Sequence, residues 1–413
     1  MNTSVSELPI GDFWYDLPDD RIARFPVSGR DGAKLLTYCG GNLGQDHFLN
    51  LSAYLSADTL LIGNETRVVQ ARFVFQKPGG AVIELFCLSP AQNGIDFQQA
   101  FATVSAVEWQ CLVGNSKRWK EGALEEVVRL GETQVLLKAE RIARQEGSST
   151  IRFSWCPAHF SFSEIMEAAG QVPLPPYLNR PAVASDKTDY QTLFARFDGS
   201  VAAPTASLHF TDRVMKSLRQ KGIDMSLLTL HVGAGTFKPV SSDKIGDHEM
   251  HAENMIVGKE LIERLLHQSG SPVIPVGTTS MRALESLFWI GQMLEEAEKV
   301  PDVLHVAQWY PYQDRPSETI STEKALNNIL DFMDQSGRDH IRASTSLMIA
   351  PGYTFRISTG LITNFHQPGS TLLLLVAALI GPKWKDAYNY ALGHDFRFLS
   401  YGDSCLFLPQ MTK

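Results

Sequence analysis

The sequence has only five cysteines among its 413 residues, Cys39, Cys87, Cys111, Cys156 and Cys405, and no two lie close enough to form a CxxC pair. An odd, scattered set excludes a disulfide framework and a cysteine-built zinc site, which leaves buried free thiols. Long apolar runs are missing as well. The longest, residues 372–380, falls far short of the ~20 residues a helix needs to cross a bilayer. Met1 to Asp20 is acidic and lacks the apolar stretch of an export signal. These absences predict a cytoplasmic protein without membrane contact. Positive charge is not in excess either, because the formal net charge is −8. Binding nucleic acid over a broad surface usually requires a basic balance, so any RNA contact must come from a local patch of Lys and Arg. Lys117, Arg118 and Lys120, the pair Arg141 and Arg144, and the pair Arg67 and Arg72 are the clusters at hand, and each reads equally well as a solvated face. There is no internal repeat, low-complexity tract, P-loop, Ser-His-Asp order or zinc-ribbon spacing.

What remains is an ordinary globular composition, 44% hydrophobic and 20% charged, long enough for one large core or two to three domains. Two textures alternate. From Arg72 to Trp155, β-branched runs (AVIELFCL, VVRL, TQVLLKAERIA, STIRFSW) are punctuated by Gly79-Gly80, Gly131 and Gly147, which predicts a small all-β unit. From Ser161 onward, helices and strands alternate. Thr211 caps a helix carrying Val214 and Leu218 that stops at Gly222, SLLTLHV is a buried strand, and a second helix carries Leu261, Ile262, Leu265 and Leu266. The strand VIPV leads into a helix near Ser280, and STLLLLVAALIG is apolar all round, as a central buried helix should be. The expected fold is a large α/β domain, barrel-like with a mostly parallel sheet, formed by residues 1–71 and 158–413. A small β-barrel of residues 72–157 interrupts it, and the N-terminal segment packs on the α/β part.

Polar residues with chemical potential gather in loops after strands, where open α/β sheets hold their ligands. HVGAGTF offers His231 and a Gly233-Ala-Gly235-Thr236 turn that lets backbone approach a ligand, although taken alone a plain tight turn is the better reading. In DHEMHAE, His248 and His251 fall on one face if the segment is helical, with Glu249 and Glu253 beside them. Acid/base work or substrate contact ranks first for this cluster, a solvated surface second and a metal third. VIPVGTTSMRALES places Thr278, Thr279 and Ser280 at a helix start, where a hydroxyl caps the helix and free amides can take an anion, with Arg282 one turn inside. GLITNFHQPGST brings Asn364, His366 and Ser370 to a polar loop, and FRFLSYGDS adds Arg397, Tyr401 and Asp403, of which Arg397 and Asp403 can pair with each other.

At these same segments the chain resembles the S-adenosylmethionine:tRNA ribosyltransferase-isomerase family. The matching strings are DFWYDLPDDRIARFP, LLIGNETRVVQARF, GQVPLPPYLNRP, DYQTLFARFDGSVAAPTASLHFT, LTLHVGAGTFKPV, DHEMHAE, VIPVGTTSMRALES, GLITNFHQPGSTLLLLV and FRFLSYGD, in family order from Asp12 to Asp403. The resemblance implies transfer and isomerisation of the ribosyl part of S-adenosylmethionine onto 7-aminomethyl-7-deazaguanine at the tRNA wobble position. Epoxyqueuosine would form, with adenine and methionine released, and no metal or resident cofactor would be needed. It further implies that His231, His248, His251, His366 and Glu253 include the acid and base. Thr278, Thr279 and Arg282 would hold the methionine carboxylate or a phosphate. Tyr190 and Gln191 would hold a base, and Arg67 and Arg180 would meet the RNA backbone. Thr205, His209, Gly233, Gly235, Thr236, Asn364, Tyr401 and Asp403 complete the substrate contacts, with a monomer as the working unit.

The chain departs from the family pattern in places. Glu65 stands where relatives carry Asp or Asn, Ser207 where TAGLHF has Gly, and Gln367 where Leu follows TNFH; Gly369 comes next at a variable position. Residues 299–343 form an extra segment containing Trp309, Tyr310 and Tyr312, suited to a lid, an RNA contact or an interface. The rival readings are a paralogue that uses S-adenosylmethionine on another acceptor, a His-liganded metal hydrolase, and a silent RNA-binding module.

Overall fold

The structure, a computed structural model, describes residues 5–91, 97–145, 147–233, 242–268, 270–297, 303–313 and 319–409. The chain opens on a hairpin of β1 (Lys34–Cys39) and β2 (Asn42–His47), turned at Gly40 and Gly41, both of positive φ. The buried β3 (Leu60–Asn64) and the short β4 (Thr66–Val68) follow.

The β-rich stretch then begins, with β5 (Arg72–Gln76), β6 (Val82–Pro90), a short α1 (Phe97–Ala102), β7 (Ala106–Gly114), β8 (Leu124–Leu130), β9 (Thr133–Gln145) and β10 (Ser148–Cys156). All pairs are antiparallel in the order β5-β6-β7-β10-β9-β8, and β5 curls back toward β8 in a nearly closed barrel. Alternation is the cause. Phe73, Phe75, Ile83, Leu85, Val135, Leu137, Ile151 and Phe153 all point inward and are buried, as period-two patterning dictates. α2 (Phe162–Ala169) plugs this core with Phe162, Ile165 and Met166, and starts at a Ser161–Glu164 capping box.

The rest of the chain runs α3 (Asp186–Asp189), β11 (Phe197–Ser200), α4 (Asp212–Gln220), β12 (Asp224–His231), β13 (Glu253–Gly258), α5 (Lys259–His267), β14 (Val273–Pro275) and α6 (Thr278–Glu296). It ends with β15 (His305–Val306), α7 (Thr322–Gln335), β16 (His340–Thr345), β17 (Leu361–Asn364), α8 (Thr371–Ile380), α9 (Lys383–Gly393) and β18 (Ser404–Leu408). Two sheets, β17-β18-β1-β2 and β14-β3-β12-β13-β16-β15, are joined by a parallel bridge between Val276 and Ile362 into one curved half-barrel. The expectation of a mostly parallel sheet needs correction. β3, β12 and β14 are parallel to one another, as are β1 with β18 and β15 with β16, but β12-β13, β13-β16, β17-β18 and β1-β2 are antiparallel. The N-terminal segment packs on this half, through a Pro9–Lys244 bridge and an Ile22–Phe398 bridge. Cys87, Cys111 and Cys405 are buried free thiols, Cys39 is half-buried, and Cys156 is exposed. Among the described residues, no helix is long and apolar enough to cross a membrane.

The helix buried most completely is α6, in which Thr278 through Gln292 are all buried. Its arginine, glutamate and glutamine side chains are each answered. Arg282 meets Glu253 at 3.2 Å, and Gln292 donates to Glu296 and accepts from the Ile320 N–H. Glu285 accepts from the Tyr353 hydroxyl and from the backbone N–H groups of Arg356, Ile357 and Ser358. The extra segment belongs to this packing. α7 buries Ala325, Leu326, Ile329 and Met333, β15 and β16 close the sheet edge, and Trp309, Tyr310 and Tyr312 lie half-buried against the main core. A Cβ on Gly291 of α6 would lie 2.2 Å from the Ala325 carbonyl of α7, so the two backbones touch. Gly291→Ala should therefore destabilise the fold by roughly 2 kcal/mol or more through overpacking, against the ~1 kcal/mol that alanine gains in an open helix. Urea unfolding that shows equal or greater stability would contradict this contact.

Candidate active site

The strands β11, β12, β14 and β17 all deliver their C-terminal ends to one cleft. It is lined by Tyr177, Ala202 to Ala206, Val232, Gly277 to Thr279, Thr363 to Gln367, Ser370, Leu372, Leu399 and Ser400, and encloses about 700 Å³ of space open to solvent. A larger cavity of about 1650 Å³ sits at the opposite end of the parallel strands, lined by Thr59, Val273, Leu326 and Arg356 among others. Both spaces carry hydroxyls, but a histidine and an uncapped helix terminus meet only at the first, so chemistry ranks the smaller space higher.

Gly277, at φ 95°, is the N-cap of α6 and supplies no side-chain cap. The threonine and serine hydroxyls expected to cap do not. Ser280 Oγ instead donates to the Val276 carbonyl. The first-turn amides of a 19-residue helix therefore lack a side-chain cap where Gly277, Thr278 and Thr279 line the cleft. Such a terminus favours an anion through its unpaired N–H groups and the helix dipole.

Asn364 organises the opposite wall. Its Nδ2 donates to the carbonyls of Leu399 and Ser400, both at 3.1 Å, so its Oδ1 must face His209. His209 Nε2–H then donates to that oxygen at 3.0 Å, which fixes the tautomer. Burial lowers the His209 pKa and keeps the ring neutral. Leu399 is held at φ 70°, a left-handed conformation that costs a branched side chain roughly 1–3 kcal/mol. The Asn364 and Gly402 bonds to its carbonyl hold that turn in place. Ser400, the next residue, meets the Tyr177 hydroxyl at 2.5 Å.

His366 is pinned by its backbone. The Tyr15 hydroxyl donates to its carbonyl, its N–H donates to Tyr388 Oη, and its Nε2 lies 3.0 Å from Thr363 Oγ1. Burial pushes its pKa down to about 3, so the imidazole is neutral at physiological pH.

Thr205, Thr278, Thr279, Asn364 and His366 thus meet around the cleft, with His209 directly behind Asn364. The other expected residues are used elsewhere. His231 ends β12, stacked on Phe97 of α1 at 5.2 Å, and the bare Cα of Gly199 makes room for its ring. DHEMHAE is not helical. A 3-10 turn, Ile245–Asp247, gives way to extended chain, and His248 and Met250 are clamped by the side chain of Gln308. His248 is half-buried, and burial followed by the neighbouring His251 lowers its pKa. Glu253 and Arg282 form their own buried pair, in which desolvation raises the Glu253 pKa against the pull of Arg282. Among the described residues, no three His, Cys, Asp or Glu side chains are grouped to hold a metal.

Arg180 makes two 2.7 Å bonds to Asp186, which also accepts from the Val183 N–H and the Tyr401 hydroxyl. Burial alone would raise the Asp186 pKa, but these bonds outweigh it and hold the carboxyl below its usual range. Arg180 and Tyr401 therefore brace the fold, and Arg180 is not presented to a backbone phosphate. Gln191 bonds both the N–H and C=O of Val68, as a ladder strand would, and Tyr190 is fully buried. Asp403 accepts from the backbone N–H groups of Lys34 and Arg397, and Arg397 lies 3.9 Å from it. Arg67 remains half-exposed beside Asp198 in a second groove, near Lys187 and Gln191, while Arg72 pairs with Glu84 and Arg141 lies over Trp119. Gly233 is described at the end of β12, whereas Gly235 and Thr236 lie outside the described residues. The reading of the sequence passed over Tyr177, Ser400, Leu399 and Gly199. The serine and tyrosine leave no pattern, and only the GS pair after FD hinted at Gly199.

Because His366 resists protonation when folded but not when unfolded, the unfolded chain binds more protons between pH 6.5 and 3, and stability falls as pH drops through that window. Replacing it with non-titrating Asn should remove on the order of 2 kcal/mol of the loss between pH 7 and 5. A wild-type pH–stability slope in His366→Asn would refute a buried neutral imidazole.

The chain is similar to known proteins along nearly its whole length. Residues 10–407 match the family described as queuosine biosynthesis protein. A protein of Dechloromonas aromatica named S-adenosylmethionine:tRNA ribosyltransferase-isomerase is 35% identical, covering 97% of this chain and 96% of its own. Proteins of the same name from Sphingopyxis alaskensis (36%, covering 97% of both chains) and Halothermothrix orenii (34%, covering 97% and 100%) are equally similar. A crystal structure of an S-adenosylmethionine tRNA ribosyltransferase from Thermotoga maritima aligns over 96% of this chain and 99% of its own, with 25% identity and a TM-score of 0.45. The chain belongs to the queuosine biosynthesis protein family.

Proposed function

We propose that the protein transfers and isomerises the ribosyl moiety of S-adenosylmethionine onto 7-aminomethyl-7-deazaguanine in tRNA, giving epoxyqueuosine-tRNA with release of adenine and methionine. The observation that carries this reading is the cleft. An uncapped helix terminus, a neutral histidine and a set of fixed hydroxyls and amides share one space in a chain whose relatives carry that name along their whole length.

The sulfonium of S-adenosylmethionine makes the adjacent ribose carbon acidic, so a positioned base can remove a proton there. His366 has the right state for that task. It is neutral before substrate arrives and so can accept a proton; burial makes it a weak base, and the carbanion formed as the proton moves supplies the negative charge that stabilises the imidazolium. The first-turn amides of α6, with Thr278 and Thr279, suit the methionine carboxylate. Tyr177, Ser400 and Thr205 supply hydroxyls toward the ribose or the base. Asn364, held by His209 and by the Leu399 turn, is a rigid acceptor for an amine or amino group. Arg67 and Lys187, in the second groove, are the cations placed to meet a tRNA phosphate, with Glu164, Glu167 and Asp198 on the same groove confining the contact to these two side chains. Residues 72–157 act as an inserted β-barrel unit, and since one chain lines the whole cleft, a monomer in the cytoplasm is a sufficient working unit. No metal or resident cofactor has a step in this scheme.

Incubation with S-adenosylmethionine and tRNA bearing the aminomethyl-deazaguanine, followed by mass spectrometry of the digested nucleosides, should show epoxyqueuosine with adenine and methionine in equal amounts. His366→Ala should slow turnover by roughly a hundredfold, the scale of a lost acid or base. Release of adenine without a modified nucleoside would mean another acceptor, and wild-type turnover in His366→Ala would remove that histidine from the chemistry.

A further inference from the structure

Phe13, Trp14 and Tyr15 are three consecutive aromatics with three different fates. The chain is extended here, Trp14 lying at φ −96° and ψ 142°, so neighbours point to opposite sides. Phe13 faces inward and stacks against Trp384 at 6.2 Å, and Tyr15 faces inward and bonds the His366 carbonyl. Trp14 faces out and remains 66% exposed, the largest hydrophobic side chain left so open to water among the described residues.

Its position ties it to the cleft. The Gly369 N–H donates to the Phe13 carbonyl, which fastens this segment to the loop whose Gln367 and Ser370 line the cleft. Gly369 stands at φ 61°, and a Cβ there would lie 3.2 Å from two carbons of the Trp14 ring. The ring thus rests on bare glycine backbone at the rim of the site and leaves the rest of its surface to solvent. An exposed indole seated on backbone offers a flat, pre-positioned face to a planar partner. The flanking Asp12 and Asp16 are exposed and repel phosphate, which leaves the flat face of a nucleobase as the part of an RNA suited to this spot.

We infer that Trp14 is a stacking platform for an unpaired base of the tRNA, a neighbour of the reacting nucleotide, and so a positioning residue for the acceptor strand. The inference rests on tRNA being the substrate. Stacking on an aromatic is tolerant of sequence and is lost on truncation. Trp14→Ala should raise the KM for tRNA by about tenfold, while the KM for S-adenosylmethionine and the thermal midpoint stay at wild-type values. Trp14→Phe should recover most of the loss. Tryptophan fluorescence, read as wild type minus Trp14→Phe, should be quenched on adding the tRNA anticodon stem-loop. If wild-type enzyme does not modify tRNA at all, the functional reading fails with it. If wild type turns over and Trp14→Ala keeps its KM for tRNA, the platform is refuted and the functional reading stands. A concentration-dependent dimer in sedimentation that Trp14→Ala abolishes would assign the ring to contact between copies and overturn the inference as well.

Discussion

The constraint on which the molecule depends is the burial of α6. A helix with no solvent-facing side over its first fifteen residues must satisfy the charged and amide side chains it carries, and it does so by recruiting distant chain, leaving only its amino end uncapped at the cleft. Glu285 gathers the turn at residues 356–358, Arg282 takes Glu253 from β13, and Gln292 takes the Ile320 backbone ahead of α7. Removing one partner of such a set leaves an uncompensated buried group, which is far costlier than the bond itself. The helix is thereby fixed in register, and its amino end is fixed at the cleft.

The same economy explains which polar residues are free for chemistry. Much of the polarity that looks available in the chain is spent on architecture. Asp186 unites Arg180, Tyr401 and the Val183 amide, Gln191 and Gln308 each complete backbone hydrogen bonding as a ladder strand would, and Asp403 ties the C-terminal turn to β1. After these are set aside, the cleft retains a short set of hydroxyls, Asn364, His366 and the α6 amides. Rigid supports behind each, such as the Leu399 turn behind Asn364 and the two tyrosines behind His366, suggest a site preorganised before substrate enters.

The fold was legible where patterning is strict. Period-two alternation marks the strands of the near-closed barrel, and the Thr211 cap and Gly222 stop delimit α4 as expected, with Thr211 accepting from the Val214 N–H. It was less legible in α6. TTSMRALESLFWIGQMLEE carries Arg, Glu and Gln among its apolar residues, so its pattern does not mark it as buried, whereas the wholly apolar α8 drew attention as the central one. Periodicity measures average polarity and is blind to a partner brought from far along the chain. For the site, the segments VGTTS and TNFH were readable because they follow strands. DHEMHAE misled because i, i+3 spacing has meaning only on a helix, and that stretch is extended. Arg180 and Tyr401 misled because their shared partner, Asp186, is fixed by tertiary structure.

A crystal structure of the protein with S-adenosylmethionine bound is the most direct measurement. The account predicts the methionine carboxylate within hydrogen-bonding distance of the Thr278 and Thr279 amides and the sulfonium on the His366 side. Finding the ligand in the large cavity beside Arg356, at the far end of the parallel strands, would contradict it.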